Sequence, residues 1–96
     1  MLELFDGPVP VEEILVRWYR DEAGSNYGAY IPFIGTIRDE DEISGLSFAI
    51  YEPILESWFD AWQAKAKEAG AILKMAHSRG DVPLHTSSSV AAAFSP

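Results

Sequence analysis

The chain has no cysteine. That excludes disulfides, thiolate zinc sites, iron–sulfur clusters and a cysteine nucleophile, and it leaves the redox compartment open. Positive charge is scarce: seven Lys plus Arg stand against fifteen Asp plus Glu, a formal net charge of -8. Such a balance argues against unaided binding to nucleic acid or an anionic membrane, because phosphate surfaces require a basic face. Long apolar runs are missing as well, and none approaches the ~20 residues of a transmembrane helix. The N-terminus lacks the basic start and long apolar segment of a signal peptide, so a cytoplasmic location is the expectation. What is present is core material: 48% of the 96 residues are hydrophobic, with three Trp, four Tyr and five Phe. This suffices for one small domain and is too little for two. No linker or repeat divides the chain, so residues 1–96 are expected to form a single domain.

The periodicity alternates between strand and helix. Leu2, Leu4 and Phe5 make a short apolar start, ended by a turn at Asp6-Gly7-Pro8. Val11, Ile14, Leu15, Trp18 and Tyr19 recur at helical spacing, which predicts a helix from Val11 to Glu22. Tyr27 to Ile37 is aromatic and β-branched and reads as a strand. Pro32 cannot donate to a ladder and so places that strand at an edge or a bulge. Leu46, Phe48 and Ile50 alternate with Ser47, Ala49 and Tyr51, a second strand. From Glu52-Pro53 the period switches, and Leu55, Phe59, Trp62 and Ala66 define a helix that Gly70 stops. A strand is expected from Ala71 to Ala76, a turn at Ser78-Arg79-Gly80-Asp81, an extended Val82-Pro83-Leu84, and a last strand from Ser87 to Phe94. This order favours an α+β fold, a mainly antiparallel sheet with two helices packed on one face.

Few constellations carry chemistry. The acidic run Asp39 to Glu42 fails the EF-hand pattern, since Ser44 and Ile50 hold the places of its Gly and Glu, and it reads as a solvated loop. His77 and His85, with Asp81 between them, match no zinc spacing. Ser87, Ser88 and Ser89 lack a nucleophile elbow and read as polar strand positions. Trp58 and Trp62 lie at helical spacing and are assigned to the core. Arg38 is the exception. It ends a strand beside Gly35 and precedes four acids, so its guanidinium either holds a ligand carboxylate or phosphate bidentately or pairs with its own loop. The residues alone leave these two open. Ala91, Ala92 and Ala93 would allow close approach of a partner if the last strand were an uncovered edge.

The string Gly28-Ala-Tyr-Ile-Pro-Phe-Ile-Gly35-Thr-Ile-Arg38, an acidic loop, Leu46-Ser-Phe-Ala-Ile-Tyr51-Glu52-Pro53, His77-Ser-Arg-Gly80-Asp-Val-Pro and a closing Phe94-Ser95-Pro96 stand here in a telling order. Together they resemble the molybdopterin synthase catalytic (large) subunit, in the form found in epsilon-class proteobacteria. The resemblance covers about Asn26 to Pro96.

The resemblance implies an α/β-hammerhead-like fold and a homodimer whose copies each carry a small ubiquitin-like sulfur-carrier subunit. The carrier's Gly-Gly tail, as a thiocarboxylate, would enter a pocket of the large subunit. Sulfur would pass twice to cyclic pyranopterin monophosphate to give the dithiolene of molybdopterin, with no metal or organic cofactor held by the large subunit. Thr36, Ile37 and Arg38 fall on the substrate-contacting strand end. The family often has Lys where Thr36 stands, so one positive charge is absent. The catalytic lysines of the family would lie beyond Pro96, so no catalytic residue is assigned within this chain, which is expected to be a C-terminally truncated form. The alternative kept open is a catalytically dead fragment that only binds the sulfur carrier or dimerises.

Overall fold

A computed structural model describes residues 2–40 and 42–96. Asp41 of the acidic run lies outside the described residues. The elements follow as β1 (Leu2–Asp6), α1 (Val11–Asp21), β2 (Ala29–Thr36), β3 (Gly45–Phe48), α2 (Glu52–Glu68), β4 (Ile72–Pro83) and β5 (Ser87–Ser95). One sheet runs in the order β1-β4-β5-β2, with β3 added alongside β4. All pairings are antiparallel except β1 with β4, so the α+β, mainly antiparallel expectation holds.

β2 is an edge strand, which is what Pro32 requires. β5 is not an edge: it lies between β4 and β2, and Ala91–Ala93 face neighbours on both sides. The close-approach route to a partner through that strand is therefore closed. The turn expected at Ser78–Asp81 is also absent, because β4 runs unbroken through it. At Gly80 the strand changes partner, from β1 through Arg79 to β3 from Gly80 onward. Gly80 takes φ +79°, a left-handed backbone that favours glycine, so it bends the strand rather than ending it. Arg79 beside it is held by ion pairs to Asp6 (2.7 Å) and to Glu52 at the start of α2.

Strand alternation separates two faces. On one, Ala76 of β4, Val90, Ala92 and Phe94 of β5 and Tyr30 of β2 meet Ile14 and Trp18 of α1. Trp18 is fully buried and donates through Nε1 to Glu3 at 3.0 Å. Lys74 also points to this side. It is 6% exposed, ion-paired to Glu22 at 3.0 Å, and lies over the Phe94 ring.

On the other face, three strands place residues in matched rows: His77, Ser89 and Gly35; then Met75, Ala91 and Phe33; then Leu73, Ala93 and Ile31. α2 lies over the β4 side of these rows, where Trp58, Phe59 and Trp62 line one apolar pocket together with Leu73, Met75 and Ala91. The helices thus occupy opposite faces rather than one. The reason is parity: Leu73 and Met75 alternate with Lys74 and Ala76, and only the latter set reaches α1. Phe59 alone of α2 is buried. Trp58 and Trp62 are 47% and 50% exposed, which corrects their assignment to the core.

Candidate functional site

The strand end at Thr36–Arg38 is built by a bulge. The β2–β5 register shifts between Gly35 and Thr36, so the ladder opens there. Ser87 fills the opening: its Oγ lies 2.9 Å from the Gly35 carbonyl and 3.0 Å from the Ser89 carbonyl, and its single proton is shared between these two acceptors. Beyond the bulge the chain is caught again by the β4–β5 hairpin. The Ile37 N–H donates to the Thr86 carbonyl (3.0 Å), and the Ile37 carbonyl accepts from His85 N–H (2.9 Å). The hairpin tip needs a left-handed residue, and His85 supplies it at φ +64°.

This geometry divides the three residues singled out from sequence. Ile37 is 4% exposed and both its backbone groups are engaged, so its side chain anchors the strand end in the interior. Thr36 and Arg38 are exposed on either side of that anchor. Arg38 uses one terminal nitrogen in an ion pair with Glu40 at 2.8 Å, and its side chain is 76% exposed. The pairing to its own loop is therefore real. An exposed pair of this kind is worth at most about 1 kcal/mol and exchanges readily for a better anion, since a guanidinium carries five donors.

Glycine leaves room at position 35: a Cβ there would meet Ser89 Oγ at 2.6 Å, so a side chain fits only if Ser89 turns its hydroxyl away. Near this row His77 stacks edge-on against Phe48, and its Nδ1 lies 2.7 Å from the Ser78 carbonyl. A carbonyl only accepts, so that nitrogen carries the proton. His77, His85 and Asp81 do not gather: among the described residues no three His, Asp or Glu side chains come together to hold a metal. The role of Ser87 was not visible in the sequence, where the serine run read as polar strand positions. The one available signal was the combination of Gly35 and a hydroxyl-rich strand, which is what a bulge with a side-chain bridge needs.

The elements thus define a class: a mixed α+β domain that presents an arginine and a threonine on a bulged strand end. Residues 5–96 match the family model described as MoaE protein, and the chain belongs to that family. It is 46% identical over 88 residues to the molybdopterin synthase catalytic subunit of Helicobacter pylori strain 26695, covering 92% of this chain and 61% of that one. The fold superposes with a TM-score of 0.93 and 41% identity on a chain from the complex of subunits 1 and 2 of molybdopterin-converting factor from the same strain, covering 98% of this chain and 64% of that one. Molybdopterin synthase from Staphylococcus aureus shares the fold at a TM-score of 0.79 and 20% identity. This chain therefore spans just over three-fifths of the length of the curated relatives it matches. No helix of the described residues is long and apolar enough to cross a membrane.

Proposed function

We propose that the chain serves as the large subunit of molybdopterin synthase, in the cytoplasm, as one domain over residues 1–96. In this reading it passes sulfur from the thiocarboxylated tail of a small ubiquitin-like carrier to cyclic pyranopterin monophosphate, for molybdenum cofactor biosynthesis. The observation that carries it is the 46% identity to a molybdopterin synthase catalytic subunit across nearly the whole of this chain. The strand end supports it chemically. Arg38 offers a planar fork to a phosphate or carboxylate, and Thr36 adds a hydroxyl beside it. Fixed positive charge next to a thiocarboxylate stabilises the charge that develops during acyl transfer. Ile37 contributes by locking the strand end, and Ser87 by holding the bulge open. The assembly proposed is a dimer of large subunits, each with one carrier.

The test uses the chain assembled with its thiocarboxylated carrier and supplied with cyclic pyranopterin monophosphate. Because no catalytic lysine is assigned within residues 1–96, the assay first asks whether this assembly forms dithiolene product at all; where it does, Arg38→Ala is expected to lower the rate at least tenfold at unchanged melting. Carrier binding without product would move the assignment to the carrier-docking alternative. Undiminished product from Arg38→Ala would remove Arg38 from the site.

A further inference from the structure

Arg38 does not ride on the main sheet. The β2 ladder ends at Thr36, and the next anchor, Ile37, is held through Thr86 and His85 at the tip of the β4–β5 hairpin. Further along the chain, Gly45 opens β3, which pairs with Gly80–Pro83 at the end of β4. Just before it, the Ser44 carbonyl accepts from Leu84 N–H at 3.4 Å. Both ends of the segment that carries Arg38 are therefore fastened to one arm, residues 80–86. Val82 of this arm and Ile37 are both buried, so the attachment is packed as well as hydrogen-bonded.

The arm has two roots in the body. One is β4 itself, which is paired with β5 as far as His77 and with β1 as far as Arg79, and takes β3 as its partner from Gly80. The other is the short link from Phe48, opposite Gly80, to Glu52 at the start of α2. At the first root Gly80 is left-handed, and a Cβ on it would meet nothing within 4 Å, so this glycine serves the bend and not a close approach. A residue so permissive does not fix its own angle. Arg79 stands immediately before it and ties both roots to the end of β1. Its carbonyl accepts Gly7 N–H at 2.9 Å, its Nε pairs with Asp6 at 2.7 Å, and its Nη1 pairs with Glu52. Only a guanidinium fork holds two carboxylates from different elements in this way.

We infer that Arg79 is a positioning residue for Arg38: by holding Asp6 and Glu52 together at the root of the arm, it sets the angle at which the arm presents the strand end. Nothing in the local sequence separates this arginine from a turn residue, and its partners come from positions 73 and 27 residues away. The consequence for anion binding rests on the function proposed above, whereas the fastening of the arm does not.

The experiment is amide hydrogen exchange on the intact chain, which needs no turnover. The Ile37 and His85 amides report the bonds between strand end and arm, while the Ile14 amide in α1 and the Gly28 amide before β2 serve as references. Arg79→Gln is expected to speed exchange at Ile37 and His85 about fivefold relative to the references, the scale set by a pair of exposed ion pairs. In a background of Asp6→Asn with Glu52→Gln the same substitution is expected to change nothing further, because the carboxylates through which it acts are gone. Equal acceleration at all four amides would make Arg79 a general stabiliser and overturn the inference. So would no acceleration, or acceleration that persists without the two carboxylates. A chain that forms no dithiolene product would remove Arg38 from a reacting site and leave these exchange results as they are.

Discussion

The two faces of one sheet differ in what covers them. On the α1 side, Trp18, Ala76 and Val90 have no exposed surface, and the polar groups that enter, Glu3, Glu22 and Lys74, do so paired. On the α2 side, the same strands carry Phe33 and Ile31 into solvent and the helix buries a single residue, Phe59. Both faces are apolar by composition. Stability therefore resides in the face where large side chains interlock, and the other face keeps apolar surface available for binding.

The sharpest way to break this asymmetry is a matched pair of truncations. Trp18→Ala removes a fully buried indole and one of the two partners of Glu3, which keeps its ion pair to Arg17 (2.6 Å), and is expected to cost about 3–5 kcal/mol in urea unfolding. Phe33→Ala, of comparable bulk, is expected to stay within about 0.5 kcal/mol. Equal losses would mean that the open face is as tightly packed as the closed one.

The next effect concerns the charge buried on the closed face. Glu22→Gln leaves the Lys74 ammonium without its partner and is expected to cost up to about 3 kcal/mol, at the lower end for a broken buried pair because Glu22 keeps some solvent. The hydrogen bond from Lys74 lowers the Glu22 carboxyl below its ordinary value, against the opposing effect of its burial. A depressed carboxyl stabilises the fold above its unfolded-state value and loses that contribution as pH falls through the folded-state one. Wild-type stability should thus decline below about pH 4.5 more steeply than that of Glu22→Gln, read from urea midpoints at a series of pH values.

A smaller effect tests the bulge where the site begins. Gly35→Ala forces its new methyl against Ser89 Oγ and is expected to cost about 1–2 kcal/mol. Ser89→Ala should recover most of that loss in the double variant, measured as a double-mutant cycle. If the two substitutions simply add, the close approach is not what demands glycine there.

Much of this architecture could be read from the chain. The helical spacing predicts α1 to within one residue of its end, Pro32 locates the edge strand, and Gly70 marks the stop of α2. The readings that failed share a cause. Gly80 looked like a turn because glycine permits both a turn and a bend, and only the ion pairs of Arg79 and the change of partner strand decide between them. The separation of the helices onto opposite faces was hidden in β5, where alanines on one face alternate with valine, alanine and phenylalanine on the other. With apolar residues on both sides, alternation carries no sign of inside and outside. Trp58 and Trp62 followed helical spacing faithfully, but spacing shows which residues share a stripe and not how much of it is covered. The bulge and its Ser87 bridge depend on cross-strand register, which no local pattern encodes.

The parallel pairing of β1 with β4 sets an order on how the chain can fold as it is made. Leu2 has its ladder partner at Met75 and Asp6 at Arg79. The first strand therefore leaves the ribosome long before anything exists for it to pair with, and α1 waits equally for the β4 and β5 residues that receive Trp18. Local elements can form early, but the body closes only after most of the polypeptide has been synthesised, a topology that folds slowly and exposes its apolar N-terminal strand in the interval.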